Sequence, residues 1–345
     1  YNDKLNNVGF VERNKVPFIV VGDIEWGGVF SQLVGTYYLL NDAQKNLLRG
    51  FIINRSRVDR SVLVGGIKKV EDITNVPVLG IVPRLEDVFI EEEDCMDLNN
   101  HSRGSINIGI VRFPYIANLT DVQPLLRDPQ TSVYFIDSPA NVHKSDLVIL
   151  AGSKNVVSDL EFLKRGGLED AIKNASKNGV GVMGICGGYQ MIGKVIRDPD
   201  HVESDSDMIE GIGLVDAETI YGNDKETYCS NGKTYNGHDF TGYEIHYGQT
   251  NTSLPHFSVI SSRNNNKASV QDGVALPDRL LWGTYIHGIF ENDNVRNSII
   301  DTVLNAKGKT RSAELVNYRD ERQRSYDRLA QVIEKSCQGL VDLIS

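Results

Sequence analysis

The chain is predicted to fold as α/β, with two parallel-sheet domains in tandem. Three observations predict this. Continuous apolar runs such as Val16–Gly22, Ile106–Val111 and Gly179–Gly184 have the character of strands buried on both faces. Helical stretches separate them, and strands joined by helical crossovers lie parallel. The series is interrupted once, by the acidic Glu91-Glu-Glu-Asp94 and the polar Asn99–Gly104, a composition that reads as a linker. The expected division is therefore residues 1–98, a linker at 99–104, and a second domain at 105–345 with helices at its C-terminus.

In the first domain Val16–Gly22 opens the sheet. Gly27–Leu48 reads as one helix, Phe51–Asn54 as a second strand and Val78–Val82 as a third. The second domain begins at Ile106–Val111 and continues through strands at Ser132–Ile136, Leu147–Ala151, Gly179–Gly184 and Leu280–His287. Helices are expected at Ser158–Arg165 and Leu168–Asn178. Asp198–Thr241, rich in Asp, Gly, Ser and Asn, reads as loops and edge strands. A helix follows from Val295 with Asn292-Asp293 as cap, and the last helix is expected over Tyr318–Ile344.

At 345 residues the chain is long enough for two cores. A formal charge of −10, with no cluster of Lys and Arg, argues against a nucleic-acid surface. No apolar run approaches the roughly 18 residues that a membrane span needs. Four scattered cysteines without CxxC spacing suggest neither a zinc site nor a disulfide framework, and a reduced cytoplasm is the expected setting. The metal content is not readable from the sequence. The first residue is Tyr rather than Met, and the chain reads as one whose beginning is absent.

The chemistry concentrates in Gly181-Val-Met-Gly-Ile-Cys186-Gly-Gly-Tyr-Gln190. An apolar strand, a Cys-Gly-Gly corner and a helix from Tyr189 lift one thiol out at a helix N-terminus, where backbone N–H groups favour thiolate. A free Cys is more often a buried packing residue. Two glycines directly after it point instead to a crowded elbow and an oxyanion hole using the Gly187 N–H. The loop Ala151-Gly152-Ser153-Lys154-Asn155 follows a strand and precedes a helix, so it is either a second oxyanion donor or an ordinary capped turn. His287 ends an apolar strand ahead of Gly288 and is the candidate base. Two residues on, where many Cys–His hydrolases carry an acid, stands Ile289, and Glu291 lies two further. Gly242-Tyr243-Glu-Ile-His246-Tyr-Gly248 is either an edge strand or a wall of the substrate pocket. In the first domain Asp23 and Asn54 end buried strands, a weak signal for a nucleotide. No Gly-x-x-x-x-Gly-Lys-Ser/Thr loop occurs in the chain.

These motifs together resemble the cobyric acid synthase family. Gly-Ile-Cys186-Gly-Gly-Tyr-Gln-Met-Ile-Gly193, Ala-Gly-Ser-Lys154, Gly-Tyr-Glu-Ile-His246 and Tyr-Ile-His287-Gly-Ile-Phe are similar to its glutamine amidotransferase domain, which is class I and flavodoxin-like. Val21–Phe30, Gly50–Arg55 and Pro77–Pro83 resemble its dethiobiotin-synthetase-like ATPase domain, of which residues 1–98 would be the C-terminal part, without the P-loop. The resemblance implies amidation of corrin-ring carboxylates in cobalamin biosynthesis, with glutamine and a corrinoid as substrates. Cys186 would be the nucleophile and His287 the proton carrier. Gly152, Ser153 and Gly187 would hold the oxyanion, and Tyr189, Gln190, Tyr243 and His246 would shape the glutamine pocket. Asp23 and Asn54 would face the nucleotide. The full-length enzyme would use ATP and Mg²⁺, and the glutaminase half no cofactor. As the chain stands, it is expected to hydrolyse glutamine at best. The family's branch also lacks the acid two residues after the His. Its common Arg after the strand-end acid is Trp26 here, and its Arg-Gly-Asp after Asn54 is altered to Ser56-Arg57-Val58-Asp59. Alternatives are a cobyrinic acid a,c-diamide synthase, an amidotransferase of a cell-wall precursor, or a non-catalytic binding module. The last is disfavoured because Cys186 and His287 are both present.

Overall fold

A computed structural model describes residues 6–86, 88–90, 104–312 and 314–344, and divides the chain into two units. The expected linker at 99–104 lies outside the described residues except for Gly104.

The first unit comprises residues 1–90 and 321–345. After helix α1 (Asn7–Asn14), strand β1 (Phe18–Asp23) leads to α2 (Val29–Leu39), β2 (Leu48–Ser56), α3 (Arg60–Thr74) and β3 (Val78–Pro83). The three strands are parallel in the order β1-β2-β3. Val29, Leu33, Ile67 and Val70 from α2 and α3 cover Phe51 and Ile53 of the central strand. The single helix expected over Gly27–Leu48 is in fact two. Leu40 is extended, and Asn41 restarts a short helix at Asp42–Lys45 through a capping box with Gln44.

The second unit, residues 91–320, contains a sheet in the order β16-β17-β9-β7-β4-β6. Its strands are β4 (Ile106–Val111), β6 (Thr131–Ile136), β7 (Leu147–Leu150), β9 (Gly181–Ile185), β16 (Val274–Leu276) and β17 (Leu281–Thr284). All pair parallel except β16 with β17. Every residue of β7 and β9 is buried, as expected for strands covered on both faces. Two short strands, β5 (Ile116–Ala117) and β8 (Gly152–Ser153), pair beside this sheet. Helices α4 (Val156–Arg165), α5 (Leu168–Lys177), α6 (Gly187–Ile192) and α7 (Asp293–Ala306) complete the α/β layers.

A second sheet of this unit departs from expectation. Asp198–Thr241 is not a run of loops and edge strands. It contains β12 (Ala217–Thr234), an 18-residue strand that pairs with β10 (Val195–Arg197), β13 (Asp239–Thr252) and β14 (Ser258–Arg263). Strands β11 (Met208–Glu210) and β15 (Asn266–Asp272) flank it. Its residues alternate between buried and exposed, so the polar composition belongs to the solvated face of a sheet.

The C-terminal segment is also corrected. It forms two helices, α8 (Tyr318–Ser336) and α9 (Gln338–Ile344), separated at the fully buried Cys337. Residues 321–345 belong to the first unit, where Val332 and Cys337 pack on Ile52 and Val82. Gly80 is required there, because a Cβ on it would run into Cys337.

Candidate active site

The junction of β9 and α6 is a tight elbow. Cys186 stands between them at φ 51°, ψ −110°, a strained conformation for a residue with a side chain. Close backbone approach explains the surrounding glycines. A Cβ on Gly188 would collide with the Leu150 carbonyl, and one on Gly184 with the Gly188 carbonyl. A Cβ on Gly187 would lie 2.9 Å from Ser153 N, so the elbow and the β8 turn are in van der Waals contact. The Cys186 N–H donates to Thr284 O (2.8 Å), which ties the elbow to the end of β17. Its Sγ lies 3.6 Å from Ile245 O.

His287 follows β17 on a segment held by a buried acid. Asp272 accepts from Thr284 Oγ1 (2.6 Å) and from the Tyr285 N–H (2.9 Å). The His287 ring is fully buried, stacks on Tyr243 at 4.9 Å, and has Nδ1 2.6 Å from Asp121 Oδ2. The other Asp121 oxygen accepts the Gly288 N–H (2.7 Å). The Asn118 amide nitrogen lies 3.2 Å from both ring nitrogens. Burial pulls the imidazole pKa down, but the Asp121 carboxylate and Cys186 outweigh it and raise the pKa to about 10. The ring is thus held as a cation between Asp121 and Cys186.

Asp121 is the acid that the sequence did not reveal. It lies in a 3₁₀ turn, Leu119–Val122, 166 residues before His287, with no local motif to mark it. The position left open at Glu291 is thereby filled from another element.

A cavity of about 430 Å³ brings together Gly152, Ser153, Cys186, Gly187, Gln190, His246 and His287. Gln190 is held at both ends, its Oε1 accepting from Tyr221 (2.9 Å) and its Nε2 donating to Tyr285 (3.2 Å). His246 stacks on Tyr285 at 4.0 Å, and its Nδ1 lies 2.8 Å from the Gly248 carbonyl. Ser153 Oγ donates to Asp159 (2.6 Å). Two expected pocket residues stand elsewhere. Tyr189 is buried behind the elbow, edge-on to Tyr285 and against Gly283, and does not line this cavity. Tyr243 backs the His287 ring rather than facing the cavity. Lys154 of the Ala151–Asn155 loop also lines it, as do two charged residues not singled out earlier, Glu203 and Lys225. Glu203 Oε2 accepts the Val156 N–H at the start of α4 (3.0 Å), and burial raises its carboxyl pKa. Lys225 Nζ lies 5.5 Å over the Tyr247 ring. A larger groove, about 1260 Å³, lies around Lys173, Lys194 and Arg279, away from the thiol.

In the first unit Asp23 and Asn54 are register partners at the ends of β1 and β2. Asp23 accepts from the Glu25 N–H (2.9 Å) and Arg55 (3.3 Å), and Asn54 Oδ1 accepts the Arg55 N–H (2.9 Å). Among the described residues, one group has metal-ligand spacing, namely Glu226, Glu244 and His246. Arg263, 2.5 Å from Glu244 and 3.5 Å from Glu226, already supplies its positive charge.

Residues 107–295 match the CobB/CobQ-like glutamine amidotransferase domain. The chain is 38% identical over 347 residues to a cobyric acid synthase of Caldanaerobacter subterraneus subsp. tengcongensis, covering 96% of this chain and 68% of that protein. It is 39% identical over 346 residues to a cobyric acid synthase of Listeria monocytogenes, covering 98% and 68%. A solved structure described as a glutamine amidotransferase is similar at a TM-score of 0.44 and 12% identity, over 57% of this chain and 98% of that one. On the strength of the sequence matches, the chain belongs to the cobyric acid synthase family, glutamine-dependent amidotransferases of cobalamin biosynthesis.

Proposed function

We propose that the second unit hydrolyses glutamine at Cys186 and that the ammonia amidates carboxylates of a corrin ring, converting a cobyrinic acid a,c-diamide to cobyric acid. The observation that carries the reading is the elbow thiol beside a His287 ring whose far nitrogen meets Asp121 at 2.6 Å. The thiolate attacks the side-chain amide carbon of glutamine, and the N–H groups of Gly187 and of the Gly152–Ser153 turn receive the developing oxyanion. His287 gives its proton to the leaving nitrogen, so ammonia departs and a thioester remains. Now neutral, His287 takes a proton from water, whose oxygen displaces Cys186 and yields glutamate.

Free glutamine carries an α-ammonium and an α-carboxylate, and the cavity lining offers a partner for each in Glu203 and Lys225. Glu203→Gln is expected to raise KM for glutamine about tenfold or more with a smaller change in kcat. The same variant should scarcely alter hydrolysis of glutaramic acid, which lacks the amino group. An equal loss on both would assign Glu203 to capping α4 alone.

In the complete reaction ATP and Mg²⁺ would activate the corrin carboxylate. Asp23, with its side chain about one-third exposed at a strand end, and Asn54 are assigned to the nucleotide. The likeness of the first unit to a dethiobiotin-synthetase-like ATPase rests on its motifs. The direct test is alkylation by a diazo-ketone analogue of glutamine followed by peptide mapping. Adduct at Cys186, prevented by glutamine and absent in Cys186→Ser, supports the glutaminase. Adduct at Cys229 or Cys337 instead would overturn it. Assaying which corrin carboxylates gain nitrogen separates a cobyric acid synthase from an a,c-diamide synthase.

A further inference from the structure

The turn at β8 is held by a carboxylate that the hydrolysis steps do not use. Asp159 lies near the start of α4 and is fully buried, on a helix whose other buried residues, Val156, Val157, Leu160 and Leu163, are apolar. Burial raises its carboxyl pKa. Burying a carboxyl group costs stability that an apolar side chain would not, so packing alone does not account for it.

Its two oxygens divide between the two strands of the β5–β8 ribbon. Oδ1 accepts the Tyr115 N–H just ahead of β5 (3.0 Å), and Oδ2 accepts from Ser153 Oγ in β8 (2.6 Å). The same hydroxyl oxygen accepts the Asn155 N–H (3.0 Å), which closes the turn into α4. The ribbon's register fixes which N–H the turn presents. Ser153 is opposite Ile116, and Gly152 is opposite Ala117. The Lys154 N–H donates to Tyr115 O (2.9 Å), while the Ile116 N–H turns back to Phe113 O (3.2 Å). Antiparallel pairs alternate between bonded and unbonded, so Ser153 and Ile116 are an unbonded pair and the Ser153 N–H points away from β5. The elbow stands there: a Cβ on Gly187 would lie 2.9 Å from Ser153 N. The base is equally near, since a Cβ on Gly152 would lie 3.3 Å from His287 Cε1.

We propose that Asp159 is a positioning residue for glutamine hydrolysis: by holding Ser153 Oγ and the Tyr115 N–H together, it aims the Ser153 N–H at the oxygen that becomes negative when Cys186 adds to the amide. Given the glutaminase reading above, on which this role rests, Asp159 touches the turn and not the substrate. A donor to the oxyanion acts in the transition state, so its displacement lowers kcat and spares KM.

The test uses the 345-residue chain and compares Asp159→Ala, Ser153→Ala and the double variant by glutamate release. Alkylation of Cys186 by iodoacetamide, read by peptide mapping, and urea unfolding are measured alongside. Ser153→Ala keeps the backbone N–H and removes only the hydroxyl that Asp159 holds. Iodoacetamide is displaced at a saturated carbon, so its reaction with the thiolate needs no oxyanion hole. Each single variant is expected to lose roughly tenfold to a hundredfold in kcat, with KM within about twofold and alkylation unchanged. The double variant should be no worse than the weaker single, because both break one link. Asp159→Asn, whose amide oxygen can still accept one of the two hydrogens, should recover part of kcat. An unchanged kcat in Ser153→Ala would overturn the role, even where Asp159→Ala fails to fold. So would alkylation that falls in step with kcat, losses that multiply in the double variant, or a lowered urea midpoint with kcat intact. A wild type that releases no glutamate would overturn the glutaminase reading and this role with it, whereas wild-type turnover with unaffected variants would remove Asp159 alone.

Discussion

The elbow in the second unit and the strand ends in the first both gather charged groups at the carboxyl edge of a parallel sheet, yet they are built oppositely. Cys186, His287 and Asp121 are at most 8% exposed, each tied to backbone or to one another. The arginines that meet Glu25 have side chains 38–65% exposed to water. The difference teaches what each can do alone. Buried charges act in a low dielectric, so the Asp121 carboxylate 2.6 Å from the imidazole, together with Cys186, raises its pKa to about 10 against the pull of burial. Exposed ion pairs are screened and contribute little until a ligand removes the water.

The comparison can be broken most sharply at Cys186. Replacing it by Ser is expected to lower glutamine hydrolysis by about 10⁴-fold or more, read by glutamate release. Asp121→Asn should leave the fold intact and lower kcat by roughly 10²- to 10⁴-fold with little change in KM, because the base loses its orienting charge. A drop confined to KM would count against the assignment. Gly188→Ala tests the elbow's packing. Its methyl group meets the Leu150 carbonyl, and a loss of about 2–4 kcal/mol in urea unfolding is expected.

The next effect is in pH. His287 has a folded pKa of about 10, above its ordinary 6.5, so it binds its proton more tightly when folded. Its contribution to stability is full below about pH 6.5 and is lost as the pH rises through 10. Urea midpoints should fall across that window, and Asp121→Asn should flatten the fall. A wild-type curve identical to the variant's would remove the imidazolium–carboxylate pair from the account. The smallest effect belongs to the first unit: Arg57→Ala should change unfolding free energy by less than about 1 kcal/mol, because its ion pair with Glu25 is exposed. A larger change would mean that the arginine cluster is a structural strut.

Cys186 and His287 were legible because an elbow announces itself locally, through glycines forced by close backbone contacts and apolar runs before each residue. Tyr189 sits in the same motif, and its place in the glutamine pocket was not decided there. The α6 turn aims its ring at Gly283, which lies far along the chain. The length of β12 was concealed because its solvated face is polar, and only pairing with β10, β13 and β14 shows that it is central. The expected 105–345 domain likewise misplaced the C-terminal helices, whose amphipathic pattern says that they pack but not on what.

The alternation of strand and helix, the elbow and the candidate base were thus determined by the sequence itself, since each depends on neighbours within a few residues. The tertiary structure decided the rest: Asp121 as the acid, Glu203 and Lys225 in the cavity wall, and the arginines around Glu25. Coulomb and hydrogen-bond energies depend on distance in space, and nothing local in the chain encodes a 2.6 Å contact between residues 121 and 287.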